Sequence, residues 1–280
     1  MGNQRGVASR RMAWSILGLM GGWCILGGGC GLLDRGVLVI AHRGDSGRYP
    51  ENTLASFRGG LDARADMIEL DARVTKDGVL IVMHDETLGR TTSASDVLGA
   101  GEHRVDQIDS VALAELDAGS WKDSSFAGEG VPTLGEAVAL ITAGATVLVE
   151  RKSGSPQRYA DSLRAMGRIG GIVVQSFDWA FLAALRIELP RLRLAGLGDG
   201  EVTLGRINAL SAMRAVAAAW NHEDLDERAV RRFHDAGIIV WAYTVNRPRD
   251  WDRLCRIGVD GIITDHPATC RAWLESRGCR

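Results

Sequence analysis

The chain is short of lysine, of cysteine and of any run of basic residues, and these shortages limit its possible functions. Only three of its 33 basic residues are lysines, Lys76, Lys122 and Lys152, and its net charge is −2. A near-neutral chain without a basic block is not expected to bind nucleic acid. Of five cysteines, three lie after residue 36, which allows one disulfide at most and matches no cysteine-rich metal motif.

Charge is also missing from most of the N-terminal segment, residues 1–36. Arg5, Arg10 and Arg11 precede a stretch without charged residues that runs from Met12 to Leu33. A basic start followed by an apolar stretch is typical of a signal peptide or a membrane anchor. Three alternatives remain open: a twin-arginine-like export signal, a lipoprotein signal with Cys30 lipidated, or an uncleaved tether. Each predicts membrane association or export through this segment, and an extracytoplasmic domain at residues 37–280.

Apolar runs after residue 36 alternate with helical patterns, which favours an α/β fold with a parallel sheet surrounded by helices. Eight strands are predicted, and a (βα)8 TIM barrel needs about 250 residues. The predicted ranges are 37–41, 67–72, 147–151, 172–176, 192–197, 217–221, 238–244 and 261–264. Residues 86–132 contain no strand pattern and form a small insertion, which we expect to act as a lid or substrate wall or as a passive cap.

Chemistry-bearing side chains collect at the ends of the first two strands. His42 and Arg43 follow the first strand, and Glu69 and Asp71 lie two residues apart, so they share a face of the second. A turn at Asp77-Gly78 would return the chain with His84 opposite Asp71. Unpaired carboxylates in a buried strand are costly, and a bound cation would remove that cost. Oxygen ligands without a nearby cysteine indicate one divalent cation, Mg²⁺ or Ca²⁺.

The order and spacing of these motifs resemble the glycerophosphodiester phosphodiesterase family. The resemblance is carried by His42-Arg-Gly, Pro50-Glu-Asn-Thr53, Glu69-Leu-Asp71, Lys76-Asp-Gly78 and His84-Asp85. It implies that Glu150 is a third metal ligand and that Lys152 contacts phosphate. It also implies that His42 is the general base and His84 the general acid, an order that the residues alone do not establish. Two positions depart from the family pattern, Arg151, which we expect to point toward the helices, and Gln175.

The resemblance predicts metal-dependent hydrolysis of a small glycerophosphodiester to glycerol 3-phosphate and an alcohol. Arg43 would bind the phosphoryl oxygens, and Glu51 would orient Arg43 or a substrate hydroxyl. Trp241 or Tyr243 would form an apolar wall for the glycerol group, and Trp241 is the substrate-binding residue we select. Two alternatives remain: a lysophospholipase D-type activity on an acylated lipid, and a non-catalytic protein that binds phosphorylated ligands.

Overall fold

Nine strands form a single sheet in the computed structural model, which describes residues 36–167 and 169–280. Eight of the strands are parallel, and pairing of β1 with both β2 and β9 closes them into a TIM barrel. The predicted barrel is confirmed. The strands are β1 Leu38–Ala41, β2 Met67–Val74, β3 Leu80–Val82, β4 Thr146–Arg151, β5 Ile172–Ser176, β6 Arg193–Gly198, β7 Ala217–Asn221, β8 Ile239–Tyr243 and β9 Gly261–Thr264.

Helices connect the strands and cover the outside of the barrel. They are α1 Leu54–Asp62, α2 Ala94–Val97, α3 Ser110–Leu113, α4 Leu134–Ile141, α5 Pro156–Ala165, α6 Trp179–Glu188, α7 Leu204–Ala212, α8 Glu227–Asp235, α9 Pro248–Ile257 and α10 Pro267–Ser276. Their starts follow local chemistry. Thr53 caps α1, Asp178 caps α6, and Thr133 with Glu136 forms a capping box at the start of α4.

The strand β3 is the returning arm of the predicted hairpin, but its register differs from the prediction by one residue. Thr75 and Val79 face each other, so the loop has three residues, Lys76 to Gly78, rather than two. Gly78 has φ +84°, as the left-handed position of such a loop requires. Met83, and not His84, therefore lies opposite Asp71, whose carbonyl accepts a bond from Met83 N at 2.9 Å.

Two apolar layers stabilise the barrel because successive side chains of a strand point to opposite faces. The outer layer lies between sheet and helices and includes Ile68, Leu70, Val149 and Trp220. The inner layer fills the barrel with a smaller set: Ile40, Met67, Leu148, Val173, Ala195, Leu197, Ala217, Ala219, Trp241 and Ile263. The inside of the barrel is thus a packed core, and polar groups are left to its rim.

The insertion at residues 86–132 has its own small core and packs on the edge of the barrel. It has four single turns: α2, α3 and the 3₁₀ turns Val105–Gln107 and Ser124–Phe126. Its core is Ile81, Met83, Leu88, Ala94, Val105, Leu113, Leu116, Ala118 and Val131. Most of its larger apolar side chains are therefore used for packing.

Three contacts fasten the far end of the insertion beside α1. Phe126 packs on Tyr49, with ring centroids 5.5 Å apart. Glu129 accepts a bond from Ala55 N at 3.2 Å, and Lys122 Nζ donates to Ser46 O at 2.9 Å. The insertion is therefore held beside the carboxyl ends of the first strands.

The predicted signal or anchor lies in residues 1–36, of which only Gly36 belongs to the described part of the chain. Among residues 36–167 and 169–280, no helix combines the length and the apolar character needed to cross a bilayer. The use of the N-terminal segment stays a prediction.

Candidate active site

Three carboxylates meet at the carboxyl ends of β2 and β4. Asp71 and Glu150 are direct neighbours in the parallel register of these strands, and Glu69 precedes Asp71 by two residues on the same face. Each of the three offers an oxygen within 4.8 Å of the others. Glu69 and Asp71 are buried, and Glu150 is half-buried at the rim. The strand register therefore builds a compact cluster of acidic oxygens.

The cluster has the properties of a cation site. Glu69 Oε1 has no hydrogen-bond partner, and Asp71 Oδ1 has only the Lys152 ammonium, 3.6 Å away. Burial and the nearby Asp71 charge raise the pKa of Glu69 to about 8. Burial and Asp71 also raise the pKa of Glu150. Buried oxygens that lack donors fit a hard divalent cation, which would supply the missing positive charge.

Two cations face the carboxylates and balance part of their charge. Arg43 Nε lies 3.1 Å from Asp71 Oδ2, and its backbone N–H donates to Glu69 Oε2 at 2.9 Å. Lys152 Nζ donates to Glu150 Oε1 at 2.7 Å. Burial opposes ionisation of Asp71, but Arg43 and Lys152 more than compensate, so its pKa is lowered. Arg43 and Lys152 therefore place two positive charges directly beside the acids.

A tight turn after β1 aims Arg43 and its backbone N–H at the acids. Arg43 has φ +54° and Gly44 φ +85°, both in the left-handed region. A Cβ on Gly44 would lie 2.2 Å from Ser56 Oγ, so only glycine fits there. Ser56 Oγ also donates to Arg43 O at 2.6 Å, which fixes the turn against α1.

His42 lies beside this turn and is held by a carboxylate from the far end of the chain. Its Nδ1 is 2.6 Å from Asp265 Oδ1. Asp265 is held in turn by Ser46 Oγ at 2.9 Å and by Asn246 Nδ2 at 2.6 Å. Burial lowers the pKa of His42, but the bond to Asp265 and the charge of Glu69 outweigh it, so the net shift is upward. The arrangement fixes the ring and favours a proton on Nδ1.

His84 has a similar partner in the residue that follows it. Its Nδ1 lies 2.7 Å from Asp85 Oδ1. Burial lowers the pKa of His84, and the charge of Asp71 together with the Asp85 bond only partly offsets it. The two histidines therefore differ: one has a raised pKa and the other a lowered one. Such a difference suits a pair that performs different proton transfers.

Glu51 completes the rim and contacts two arginines. It accepts from Arg43 Nη1 at 2.8 Å, so the predicted link between Glu51 and Arg43 is present. It also accepts from Arg90 Nη1 at 3.0 Å and Arg90 Nη2 at 2.7 Å. Burial opposes ionisation of Glu51, but the two arginines lower its pKa overall. Glu51 is thus an ionised anchor for Arg43.

The arrangement of this site agrees with a family match that spans most of the chain. Residues 42–269 match the model of the glycerophosphoryl diester phosphodiesterase family. The chain belongs to this family. A glycerophosphodiester phosphodiesterase of Caldanaerobacter subterraneus is 35% identical over 83% of this chain and 95% of its own length. One from Bacillus subtilis is 33% identical over 82% of this chain and 84% of its own.

Solved structures of the family share the barrel. A putative glycerophosphoryl diester phosphodiesterase of Silicibacter pomeroyi is 29% identical, with a TM-score of 0.77 over 88% of this chain and 95% of its own. A phosphodiesterase of Oleispira antarctica, solved with the product sn-glycerol-3-phosphate, has a TM-score of 0.78 at 24% identity, covering 87% and 99%. The family resemblance inferred from the motifs is confirmed.

The aromatic residue selected for the glycerol wall is placed too deep for that role. Trp241 is 2% exposed and belongs to the packed interior of the barrel. It lies two residues before the carboxyl end of β8, one layer below the rim. Tyr243 stands at the rim, half-buried, with its hydroxyl donating to Gly198 O at 2.9 Å and its ring edge-on to Phe177. Of the two aromatic residues considered, the geometry favours Tyr243.

The departures from the family motifs also have clear positions. Arg151 points outward as predicted, where it donates to Asp178 and stacks over Phe181 at 4.7 Å. Gln175 is buried next to Glu150 in the β4–β5 register, and its Oε1 has no hydrogen-bond partner. Gln175 therefore adds an acceptor beside the acids, a feature that the sequence did not reveal.

Sequence reasoning missed most of the side chains that hold the functional groups. The side-chain amide of Asn52 makes two hydrogen bonds with Asp71. Its Nδ2 donates to Asp71 Oδ2 at 2.8 Å, and its Oδ1 accepts from the backbone N–H of Asp71 at 3.2 Å. Asp265 and Asn246 support His42, and Arg90 supports Glu51. The adjacency of His84 and Asp85 was visible in the sequence and could have suggested a pair. Asn52 lies in the Pro50–Thr53 motif, but nothing in that motif shows that it binds Asp71, and Asp265 is 223 residues from His42.

Proposed function

We propose that the protein hydrolyses glycerophosphodiesters to glycerol 3-phosphate and an alcohol with one divalent cation, Mg²⁺ or Ca²⁺. The observation that carries this proposal is the cluster of Glu69, Asp71 and Glu150, whose oxygens lie within 4.8 Å of one another between two histidine–aspartate pairs. Family membership supports the reaction class. The donor set supports a hard cation, since all three ligands are carboxylates.

The residues of the site would perform two tasks, neutralisation of the phosphoryl charge and transfer of protons. The acids, Arg43 and Lys152 would serve the first. When bound, the cation would be held by Glu69, Asp71 and Glu150 and would polarise the phosphoryl oxygens. Arg43 and Lys152 would bind the remaining phosphoryl oxygens and neutralise their charge. The phosphodiester would thus be oriented for in-line displacement at phosphorus.

The two histidines would move the protons. Nδ1 of His42 faces Asp265 and Nδ1 of His84 faces Asp85, so Nε2 of each ring is left to exchange a proton with the reactants. We assign His42 as the base that takes a proton from the nucleophile and His84 as the acid that protonates the leaving alcohol oxygen. The P–O bond to the alcohol breaks as the nucleophile's O–P bond forms. Water or the glycerol 2-hydroxyl, through a cyclic phosphate, can serve as nucleophile.

The insertion favours a small, deacylated substrate over an acylated lipid. Four of its larger apolar side chains, Leu88, Val105, Leu113 and Leu116, are buried in its own core and are not available to line a groove for an acyl chain. Val97, Val111 and Trp121 are exposed, so few apolar side chains of the insertion are left for such a groove. The alternative of a non-catalytic binding protein is disfavoured because every acid and histidine of the expected set is present and converges.

A coupled assay for glycerol 3-phosphate with glycerophosphocholine as substrate tests the proposed function. We expect turnover that EDTA abolishes and that Mg²⁺ or Ca²⁺ restores. Restoration by Zn²⁺ alone would contradict the hard-cation assignment, and turnover that survives EDTA would contradict the metal. Release of choline with lysophosphatidylcholine but not with glycerophosphocholine would favour the lysophospholipase D alternative.

We also propose an extracytoplasmic location, with residues 1–36 as signal or anchor and Cys30 as the lipidated residue. The basic start and the uncharged stretch of the sequence support this proposal. Fractionation of cells that express the full chain, compared with a Cys30→Ser variant, tests it. Recovery of both proteins in the cytoplasm would overturn it.

A further inference from the structure

Arg90 lies in the insertion, outside every motif that the proposed function uses. It nevertheless contacts Glu51 and Asp85, the carboxylates that hold two functional side chains. We propose that Arg90 is a positioning residue that fixes the phosphate-binding Arg43 and the acid His84 at the same time. The proposal rests on the proposed hydrolysis of glycerophosphodiesters. It assigns to the insertion a direct part in the reaction, beyond that of a passive cap.

The guanidinium of Arg90 bridges two carboxylates. Its Nη1 and Nη2 donate to the two oxygens of Glu51 at 3.0 and 2.7 Å. Its Nε donates to Asp85 Oδ2 and its Nη2 to Asp85 Oδ1 at 3.1 Å. Each carboxylate therefore receives a two-pronged contact, the geometry that a planar guanidinium provides and an ammonium does not.

Each of these carboxylates holds a different functional side chain. Glu51 accepts from Arg43 Nη1 at 2.8 Å, and Asp85 lies 2.7 Å from His84 Nδ1. Arg90 is thus the centre of a continuous row of alternating charge with an arginine at one end and a histidine at the other. It joins the turn after β1 to the end of the hairpin that follows β2, two segments that are separate in the sheet.

This cluster differs from an ordinary ion pair at the surface, which contributes little because water screens it. The Arg90 side chain is 46% exposed, but Glu51 and Asp85 are only 14% and 24% exposed. The bond from Arg90 is the largest cause that lowers the pKa of Asp85, to about 2, so the carboxylate is held ionised. Ion pairs at the surface contribute measurably when an arginine binds a carboxylate with two hydrogen bonds or when several charges form a network.

Loss of Arg90 would release both ends of the row. Glu51 and Asp85 share the single nitrogen Nη2, so without the guanidinium they would be like charges at close range. Their repulsion would turn Glu51 away from Arg43 and Asp85 away from His84. An error of about 1 Å in such groups can reduce the rate about 10²-fold.

The chain offers a matched control in Arg104. This residue lies in the same insertion and also bridges two carboxylates: it donates to Glu86 Oε1 at 2.5 Å and to Asp106 Oδ1 at 3.1 Å. Among the described residues, the side chains of Glu86 and Asp106 make hydrogen bonds or ion pairs with Arg104 and with no proposed site residue. Arg90→Ala and Arg104→Ala therefore each remove a guanidinium that bridges two carboxylates in the same insertion. Only Arg90→Ala removes a contact to Glu51 and Asp85, which hold Arg43 and His84.

The experiment measures kcat and KM on glycerophosphocholine with saturating Mg²⁺ or Ca²⁺ for the wild type, Arg90→Ala, Arg90→Lys and Arg104→Ala, with and without guanidinium chloride at millimolar concentration. We expect Arg90→Ala to lower kcat/KM about 10²-fold, with both constants affected. Added guanidinium should restore part of this loss in Arg90→Ala alone. Arg90→Lys should remain impaired, and Arg104→Ala should stay within about twofold of the wild type.

Thermal unfolding of the same variants distinguishes a loss of side-chain positioning from a loss of folded protein. Arg90→Ala and Arg104→Ala should shift Tm by similar small amounts, so that only one of two equally folded variants is inactive. The proposal is wrong if Arg90→Ala keeps wild-type kcat/KM, or if guanidinium gives no recovery in the folded variant. Absence of turnover in the wild type as well as in Arg104→Ala would instead refute the proposed function and with it this role of Arg90.

Discussion

The two sides of the barrel are built from different kinds of residue. Asp71 and Glu150 lie within β2 and β4, and His42, His84 and Lys152 follow the ends of β1, β3 and β4. Strands β6 and β7 present small apolar residues to the barrel interior, among them Ala195, Leu197, Ala217 and Ala219. One side therefore supplies the charge and the other supplies packing volume for Trp241.

The difference shows that a symmetrical sheet does not require a symmetrical site. Every strand delivers a side chain to the rim, but a cation and its anionic ligand need opposite charges from a few neighbouring strands. The adjacent β2 and β4 provide three carboxylates because parallel register aligns Asp71 with Glu150. The far side then needs only to fill space, and substitutions on the two sides should have different effects.

Removal of a histidine from the charged side should have the largest effect. His42→Ala should lower kcat about 10²- to 10⁴-fold, since it removes a group that transfers a proton. The matched control is His234→Ala, which breaks a similar histidine–aspartate pair with Asp260 away from the site. Steady-state assays should find the control near wild-type kcat. Equal losses in both variants would show that the effect is not specific to the charged side.

The partner of His42 should matter less than the histidine itself. Asp265→Asn should lower kcat about 10- to 100-fold, the usual cost of losing a group that orients a functional side chain. Asparagine keeps the size but not the charge that fixes a proton on Nδ1. Asp260→Asn is the control, because Asp260 supports His234 and Val240 N at a position remote from the acids. A kcat for Asp265→Asn that equals the control would remove Asp265 from the site.

Overpacking of the apolar side should change stability and not chemistry. Ala219→Leu places three extra carbons beside Trp241 and Leu197, its neighbours in the strand register. Such insertions typically cost about 1–3 kcal/mol of unfolding free energy. Denaturant titration should detect this loss, while the folded fraction keeps its kcat. A lower kcat with unchanged stability would mean that the substrate reaches this side of the barrel.

The insertion should show a small dependence of stability on pH that comes from Asp117. Burial opposes ionisation of Asp117, but backbone N–H groups of Ser120, Gly128 and Gly119 lower its pKa to about 2. A carboxyl whose pKa is lower in the folded chain stabilises the fold above its ordinary pKa of about 3.9 and loses this effect as the pH falls to 2.

Because Asp117 is partly solvated, we expect a change below about 1 kcal/mol. This change can be measured by thermal unfolding of the wild type and of Asp117→Asn between about pH 5 and about pH 2. This range runs from above the ordinary pKa of an aspartate to the lowered pKa of Asp117. The difference in Tm between the two proteins should shrink as the pH falls. A constant difference would show that the charge of Asp117 does not stabilise the insertion.

The sequence predicted the barrel strands well because each is a short apolar run between turn residues. It also predicted that Glu69 and Asp71 share a face, since alternation is regular along a strand. Glu150 was added to this set only through the family resemblance. The hairpin register was wrong by one residue because the preference for a turn at Asp77-Gly78 does not decide between loops of two and three residues. A single residue of loop length moves His84 from opposite Asp71 to the next position.

Apart from the link between Glu51 and Arg43, the sequence did not predict which side chains hold the functional groups. Asp265 is 223 residues from His42, and Asn52 reaches Asp71 only because the turn after β1 has left-handed backbone at Arg43 and Asn52. Trp241 was misplaced for a related reason: alternation shows that it faces inward but not at what depth. Distance along the chain and depth in the barrel are properties of the closed sheet, and no local pattern encodes them.

The pairing of His42 with Asp265 also ties the site to the order of synthesis. His42 follows the first strand of the barrel, whereas Asp265 follows its last strand, and the two meet only across the junction of β1 with β9. A nascent chain that has already made all three acids still lacks this partner. The histidine can acquire its final orientation only after β9 has been synthesised and the barrel has closed.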